Sequence, residues 1–301
     1  MLTVKELMKR ARAGAGGMPQ TPPATKHYKI GEHTILLNQE HLLPAYQAQH
    51  RLYDRFLPIL CKELDDPDLW IIDVGANVGD TAVALAQSCQ NPMLCIEGEE
   101  EFFKLLRHNA ETLFANRKRA VICLSAMVGS DRFSGSLRRN GTTASLAEDQ
   151  AAGQRAASLD TLARDSAVPA TAVALIKVDT DGYDGDVILS APDILAASKP
   201  ILFWENYFST IGQMRELEAL YQRLDDSGYR RFWIFDNYGN LLLRECSLGN
   251  IIDINEYVAS QEFHQCTRTI YYTDILAVTE ERLAPVREAI AIFRASAIQQ
   301  A

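Results

Sequence analysis

A chain of 301 residues, 47% hydrophobic and 23% charged, has the composition of an ordinary globule. It is long enough for one large α/β domain with an extra segment, or for two small domains. The net charge of −9 argues against nucleic acid as the main partner, since neutralising phosphates takes a basic surface. No apolar run approaches the roughly 18 residues of a membrane span.

The first residues, MLTVKELMKRARAGAGG, lack the apolar core of a secretory signal. A frayed start suits them better than a short amphipathic helix through Leu2, Leu7 and Met8, and the Gly/Pro-rich stretch 14–23 reads as a linker. A hairpin is expected over 28–37 with its turn at Gly31–Glu32. A helix should follow at about 42–64, with Tyr53, Phe56, Leu57, Leu60 and Leu64 on one face. Asp65–Asp66–Pro67 breaks that pattern, so residues 1–66 read as an N-terminal extension in front of a main domain at 67–301.

From residue 70 strands and helices alternate. The spacing predicts strand 70–75, helix 80–89, strand 93–97, helix 99–116 and strand 120–127. A polar, Gly-rich stretch to about 153 reads as loops with weak strands, followed by the SLDTLARD stretch. Strand 173–179, helix 185–197, strand 200–206 and helix 211–226 with Gly228 as its C-cap come next. Strands 230–236 and 270–278 flank a 30-residue insertion, and a terminal helix closes the chain. Such alternation implies a mainly parallel sheet covered on both faces, with its ligand at the carboxyl ends of the strands. The six cysteines (61, 89, 95, 123, 246, 266) form no C-x-x-C pair and read as reduced, packed thiols of a cytoplasmic protein.

Residues 71–80, IIDVGANVGD, hold the sharpest signal: a buried strand, a tight turn and the first turn of a helix. The glycines let backbone approach a bound molecule, and the helix start offers free N–H groups. The pattern is Asp-x-Gly-x-x-x-Gly, not the G-x-G-x-x-G of dinucleotide sites. Asp73 would repel a pyrophosphate and hold a ligand ammonium, which favours S-adenosylmethionine (SAM) over NAD. Glu97 ends the next strand, where an acid accepts hydrogen bonds from ribose hydroxyls. Phe102, one helical turn on, fits either an adenine contact or the core.

A second concentration, ALIKVDTDGYDGD, sets Asp179, Asp181, Asp184 and Asp186 at the end of a buried strand. Crowded like charges call for a raised pKa, for pairing with Lys177, or for a cation. One carboxylate could be a general base, several could hold Mg²⁺ or Ca²⁺, and Asp184 or Asp186 could cap the next helix. The spacing does not meet the EF-hand pattern, and no metal site is assigned. Asp179 and Asp181 are expected to face the ligand. Glu205, in ILFWENYF, is a further base or substrate-binding candidate, and His264 in the insertion a weaker one.

Taken in order, IIDVGANVGDTAVALA, CIEGEEEFFKLLRHNA, SLDTL, LIKVDTDGYDGDVILSA and the strand with WEN resemble the FkbM family of SAM-dependent methyltransferases. The resemblance spans about 70–235, and the final YYTDILAV strand is similar as well. It implies a class I methyltransferase (Rossmann-like) fold: a seven-stranded, mostly parallel sheet with an antiparallel last strand. It also implies O-methylation of a hydroxyl on a sugar or hydroxylated natural product. By motif position Asp73, Gly75, Ala76, Asn77, Gly79, Asp80, Glu97 and Ser125 would line the SAM site, with Asp179 near the methyl end.

Gly98 replaces the family's usual proline after the strand-end acid, and Asp181 stands where the family carries glutamate. The catalytic candidates are Asp179, Asp181 and Glu205; the partner is a small-molecule or glycan acceptor, and a homo-oligomer is compatible with the sequence. The rival readings are a SAM-binding protein without catalysis and an NAD(P)-dependent oxidoreductase. The second predicts a glycine fingerprint that this turn lacks.

Overall fold

The computed structural model describes residues 24–115, 117–130, 134–140, 143–147, 154–263 and 269–299. The Leu2–Met8 segment, the 14–23 linker, His264 and Cys266 lie outside them. The alternation from residue 70 onward becomes an eight-stranded sheet. In chain order its strands are β3 (Trp70–Val74), β4 (Met93–Glu97), β5 (Val121–Ser125), β9 (Val173–Val178), β10 (Ile201–Asn206), β11 (Arg231–Asp236), β12 (Leu241–Cys246) and β13 (Thr273–Val278). They lie in the order β12-β11-β13-β10-β9-β3-β4-β5.

β13 runs antiparallel to both its neighbours, β10 and β11. This is the seven-stranded class I methyltransferase arrangement with its reversed last strand, and β12 adds an eighth, antiparallel edge strand from within the insertion. The stretch before residue 156 forms a small separate sheet of β6 (Ser134–Asn140), β7 (Thr143–Ala147) and β8 (Gln154–Arg155).

Successive residues of a strand face opposite sides, and the two faces are covered by different helices. Ile72, Val74, Ile176 and Trp204 pack under α5 (Leu159–Asp165), α6 (Asp184–Leu189), α7 (Pro192–Ser198) and α8 (Ile211–Asp226). Ile71, Leu175, Phe203 and Leu276 pack on the other side, under α2 (Phe56–Glu63), α3 (Asp80–Ala86), α4 (Glu100–Leu113) and α10 (Leu283–Gln299). Helix α9 (Leu248–Phe263) fills the rest of the insertion. Asn206, pointing to the first face, donates to Asn255 of α9 at 2.8 Å and to Thr273 at 3.1 Å. Tyr221 of α8 donates to Asn206, so this buried network fastens the insertion to the sheet.

Two expected helices are each divided. The segment 42–64 becomes α1 (Leu43–Gln49) and α2, parted at His50, whose backbone is extended, and by Asp54 at φ 59°. The break lets Tyr46 stack on Tyr53, ring centroids 5.5 Å apart. It also lays the Leu52 carbonyl against Gly239, where a Cβ would lie 2.5 Å from that oxygen. The segment 185–197 divides ahead of Pro192, whose ring and missing N–H are tolerated only in a helix's first turn.

The hairpin β1 (Thr25–Ile30) and β2 (His33–Asn38) turns at Gly31 as expected. It docks on the main sheet's helices. Asn109 of α4, 3% exposed, accepts the Leu36 N–H at 2.8 Å and donates to the carbonyls of Leu36 and Val78 at 3.0 and 2.8 Å. Ile35, Leu37, Val78, Val83 and Phe102 form one cluster beneath it.

Candidate active site

The period of two that splits the core also sorts the polar groups. Asp73, Glu97, Lys177 and Glu205 share parity with the Ile71 side, as Asp274 does with Leu276, so all of them project toward the face that the N-terminal extension covers. There, at the carboxyl ends of the strands, lies a cleft of about 440 Å³. That is within the roughly 300–1,000 Å³ of small-molecule sites.

The turn after β3 forms one wall. Gly75 has φ 76°, and a Cβ on it would lie 1.8 Å from the Asp179 carbonyl oxygen, so only glycine lets the two strand ends close together. Asn77 also takes a left-handed backbone, φ 47°, which asparagine tolerates better than most residues. Glu97 is 6% exposed and accepts two backbone N–H groups, from Asn77 at 2.8 Å and from Glu99 at 2.7 Å. Burial pushes its carboxyl up to about 7 against the pull of those two donors. Gly75, Ala76, Asn77, Asp80 and Glu97 all line the cleft.

Gly79 and Ser125 do not line it. Gly79 starts α3 at φ 85° and packs against Leu106. Ser125 is an exposed strand end, and its neighbours Ala126, Met127 and Val128 reach the cleft instead.

Asp73 is 2% exposed and sits beneath the turn rather than in the cleft wall. The sheet register sets it beside Lys177, whose Nζ lies 3.2 Å from Asp73 and 3.4 Å from Asp179. Burial by itself would lower the Lys177 ammonium, but Asp73, Asp179 and Asp80 outweigh it and hold it well above the usual lysine value. The charge that Asp73 was expected to offer a ligand ammonium is therefore met by the protein's own cation.

The four aspartates separate by role. Asp179 and Asp181 line the cleft as expected. Asp184 is 1% exposed and accepts from the Thr180 hydroxyl at 3.0 Å and the Gly182 N–H at 3.3 Å. Asp186 accepts the Ser130 N–H at 2.6 Å. Neither caps α6, whose N-cap, Tyr183, makes no side-chain capping bond; they pin loops beside the strand end. Burial and the nearby Asp179 raise Asp184 to about 7.

Glu205 also reaches the cleft, and directly across the antiparallel ladder stands Asp274, which sequence reasoning did not single out. Burial, then Asp179 and the other carboxylates, hold both well above the usual carboxylate range. The signal for Asp274 was its place as the first charge of the YYTDILAV strand, but its partner strand lies about 70 residues upstream. The N-terminal extension contributes His41, Tyr46, Tyr53 and Asp54, and Tyr272 lines the cleft as well. Burial keeps the Tyr53 and Tyr272 phenols protonated. Among the described residues no group of three or more His, Cys, Asp and Glu side chains is placed to hold a metal ion.

A model of the methyltransferase FkbM domain matches residues 73–231, more than half of the chain. The chain belongs to the FkbM methyltransferase family. Its cofactor is SAM. The site accommodates such a molecule in the close Gly75–Asp179 approach and in a Glu97 carboxylate held by two backbone donors at the cleft wall.

Solved structures of similar fold include an O-methyltransferase from Bacillus cereus in complex with S-adenosylhomocysteine (15% identity, 79% of this chain, 89% of that one, TM-score 0.43). Another is a precorrin-6y C5,15-methyltransferase from Geobacter metallireducens (12%, 75%, 86%, 0.39). A third is a predicted O-methyltransferase from Agrobacterium tumefaciens (13%, 74%, 80%, 0.40). No curated protein matches the chain. Among the described residues no helix is long and apolar enough to cross a membrane.

Proposed function

We propose that this FkbM-family methyltransferase is an O-methyltransferase, acting on a hydroxyl of a small-molecule or glycan acceptor such as a sugar or a hydroxylated natural product. One observation carries the reading: a single sheet edge presents the glycine turn and Glu97 on β3 and β4, then cleft-facing carboxylates on β9, β10 and β13. Gly75, Ala76, Asn77, Asp80 and Glu97 would hold the cofactor, Glu97 accepting from its ribose hydroxyls. When bound, it supplies a methyl carbon already activated by a positive sulfur.

What the chain adds is alignment of the acceptor oxygen, exclusion of water and a place for the hydroxyl proton. Asp179 is ion-paired to Lys177, which suits it to orient a hydroxyl rather than to take its proton. Glu205 and Asp274 are the stronger bases once ionised, because burial and repulsion raise their proton affinity. Asp181 lines the same wall and completes the acceptor set.

The test is S-adenosylhomocysteine release on a panel of glycosides and hydroxylated natural products, with the methyl ether identified by mass. On an accepted substrate, Glu205→Gln should lower turnover by about 100-fold, the usual contribution of a general base. Turnover equal to wild type would remove Glu205 from that role, and the absence of any methylated product would sink the enzymatic reading.

A further inference from the structure

The family match begins at residue 73, yet one of the hydrogen bonds bracing the glycine turn comes from a residue far upstream. His41 follows the β1–β2 hairpin, is 8% exposed and lines the cleft. Its Nδ1 accepts the backbone N–H of Leu43 at 3.2 Å. A ring that accepts at Nδ1 is neutral and carries its proton on Nε2. That nitrogen stands 3.3 Å from Oδ1 of Asn77, to which it donates. Asn77 then gives its backbone N–H to Glu97 Oε2 at 2.8 Å.

The ring itself is held on other sides. Phe102 meets it edge to face with centroids 6.5 Å apart, and Lys26 Nζ binds the His41 carbonyl at 2.8 Å. Asn77 holds a left-handed backbone, φ 47°, which asparagine reaches most readily when its short polar side chain is hydrogen-bonded, as it is here to His41. If the peptide after Ala76 relaxed, its N–H would turn away from Glu97, and the carboxylate would lose one of the two donors that fix its direction.

We infer that His41 is a positioning residue for the methyl-donor site, bracing Asn77 and through it Glu97, so that the N-terminal extension is a working part of the cofactor pocket. This rests on the reading of the cleft as the SAM site. His41 acts through Asn77 and takes no part in the chemistry.

The experiment is calorimetric titration of S-adenosylhomocysteine into the full chain and into His41→Ala, His41→Gln, His41→Phe, Asn77→Ala and the His41→Ala/Asn77→Ala pair. His41→Ala and His41→Phe should weaken binding by about fivefold to tenfold, the worth of one such hydrogen bond. His41→Gln keeps an amide N–H within reach of Asn77 and should recover most of the loss. The double variant should bind about as weakly as the worse single one, because both remove the same link.

Wild-type affinity in His41→Ala or His41→Phe, or losses that simply add in the double variant, would overturn the inference. Should His41→Ala fail to fold, the contrast between His41→Gln and His41→Phe decides on the same terms. A wild-type chain that binds no S-adenosylhomocysteine would instead overturn the assignment of the cleft.

Discussion

The two halves of the cleft are built differently. The half proposed for the cofactor comes mainly from one short stretch, β3 through the start of α4, with His41 reaching it from the N-terminal extension. Its buried acid is met by backbone donors two and twenty residues away. The half proposed for the acceptor draws Asp179, Glu205 and Asp274 from the ends of three strands, and Tyr53 and Asp54 of the N-terminal extension line the same cleft. Its carboxylates converge, and buried Lys177 meets one of them, Asp179, at 3.4 Å. Local hydrogen bonds can set a carboxylate in place cheaply, whereas converging carboxylates repel and need a scaffold that is already stable. The first half is a motif and the second is a consequence of topology.

Lys177 joins the halves, so removing it should do the most damage. Lys177→Met leaves Asp73 buried without its cation and should cost about 3–5 kcal/mol in urea unfolding. Adding Asp73→Asn should return most of that loss. If the single variant proved as stable as wild type, the bridge would not couple the two halves.

A pH series sharpens the contrast next. Asp184 is raised from 3.8 to about 7 in the folded protein, so its folded form holds a proton that the unfolded chain has lost. The stability linked to it is fully present below about pH 4 and is lost as pH rises through 7. Between pH 5 and 7 it should withdraw about 2.5 kcal/mol, at roughly 1.4 kcal/mol per pH unit. Because Asn mimics the protonated carboxyl, the unfolding free energies of wild type and Asp184→Asn should run close together at the low end of that window and diverge toward pH 7, where wild type alone loses stability. Parallel curves would mean that Asp184 titrates normally.

The smallest expected effect concerns the seam between the hairpin and the cofactor half. Asn109→Ala leaves the Leu36 N–H and two carbonyls without their partner and should cost about 2 kcal/mol. Hydrogen exchange should locate the loosening at β2 and the glycine turn. Protection unchanged at residues 33–38 would show that apolar packing alone holds the hairpin.

Much of the glycine-turn wall of the cleft was legible in the sequence alone. Gly75 could be read from its turn and Glu97 from its strand end, because close backbone approach and strand termini leave local signatures. The mainly parallel sheet also followed from the alternation of elements, and the reversed last strand from the resemblance to the FkbM family. Other features had no local signal. The break at His50–Asp54 is set by packing against Gly239, and the reach of Asp73 toward Lys177 depends on the register of β3 with β9.

By itself, then, the sequence determined the element order, the buried strands and the residue types at each strand's carboxyl end, since period, turn chemistry and hydrophobicity act over a few residues. Only the tertiary structure decided which of those residues meet. It paired Glu205 with Asp274 across β10 and β13, gave Lys177 to Asp73, and brought His41 to Asn77. Those contacts join residues 36 to 104 positions apart, and register and docking, which set them, are properties of the whole sheet.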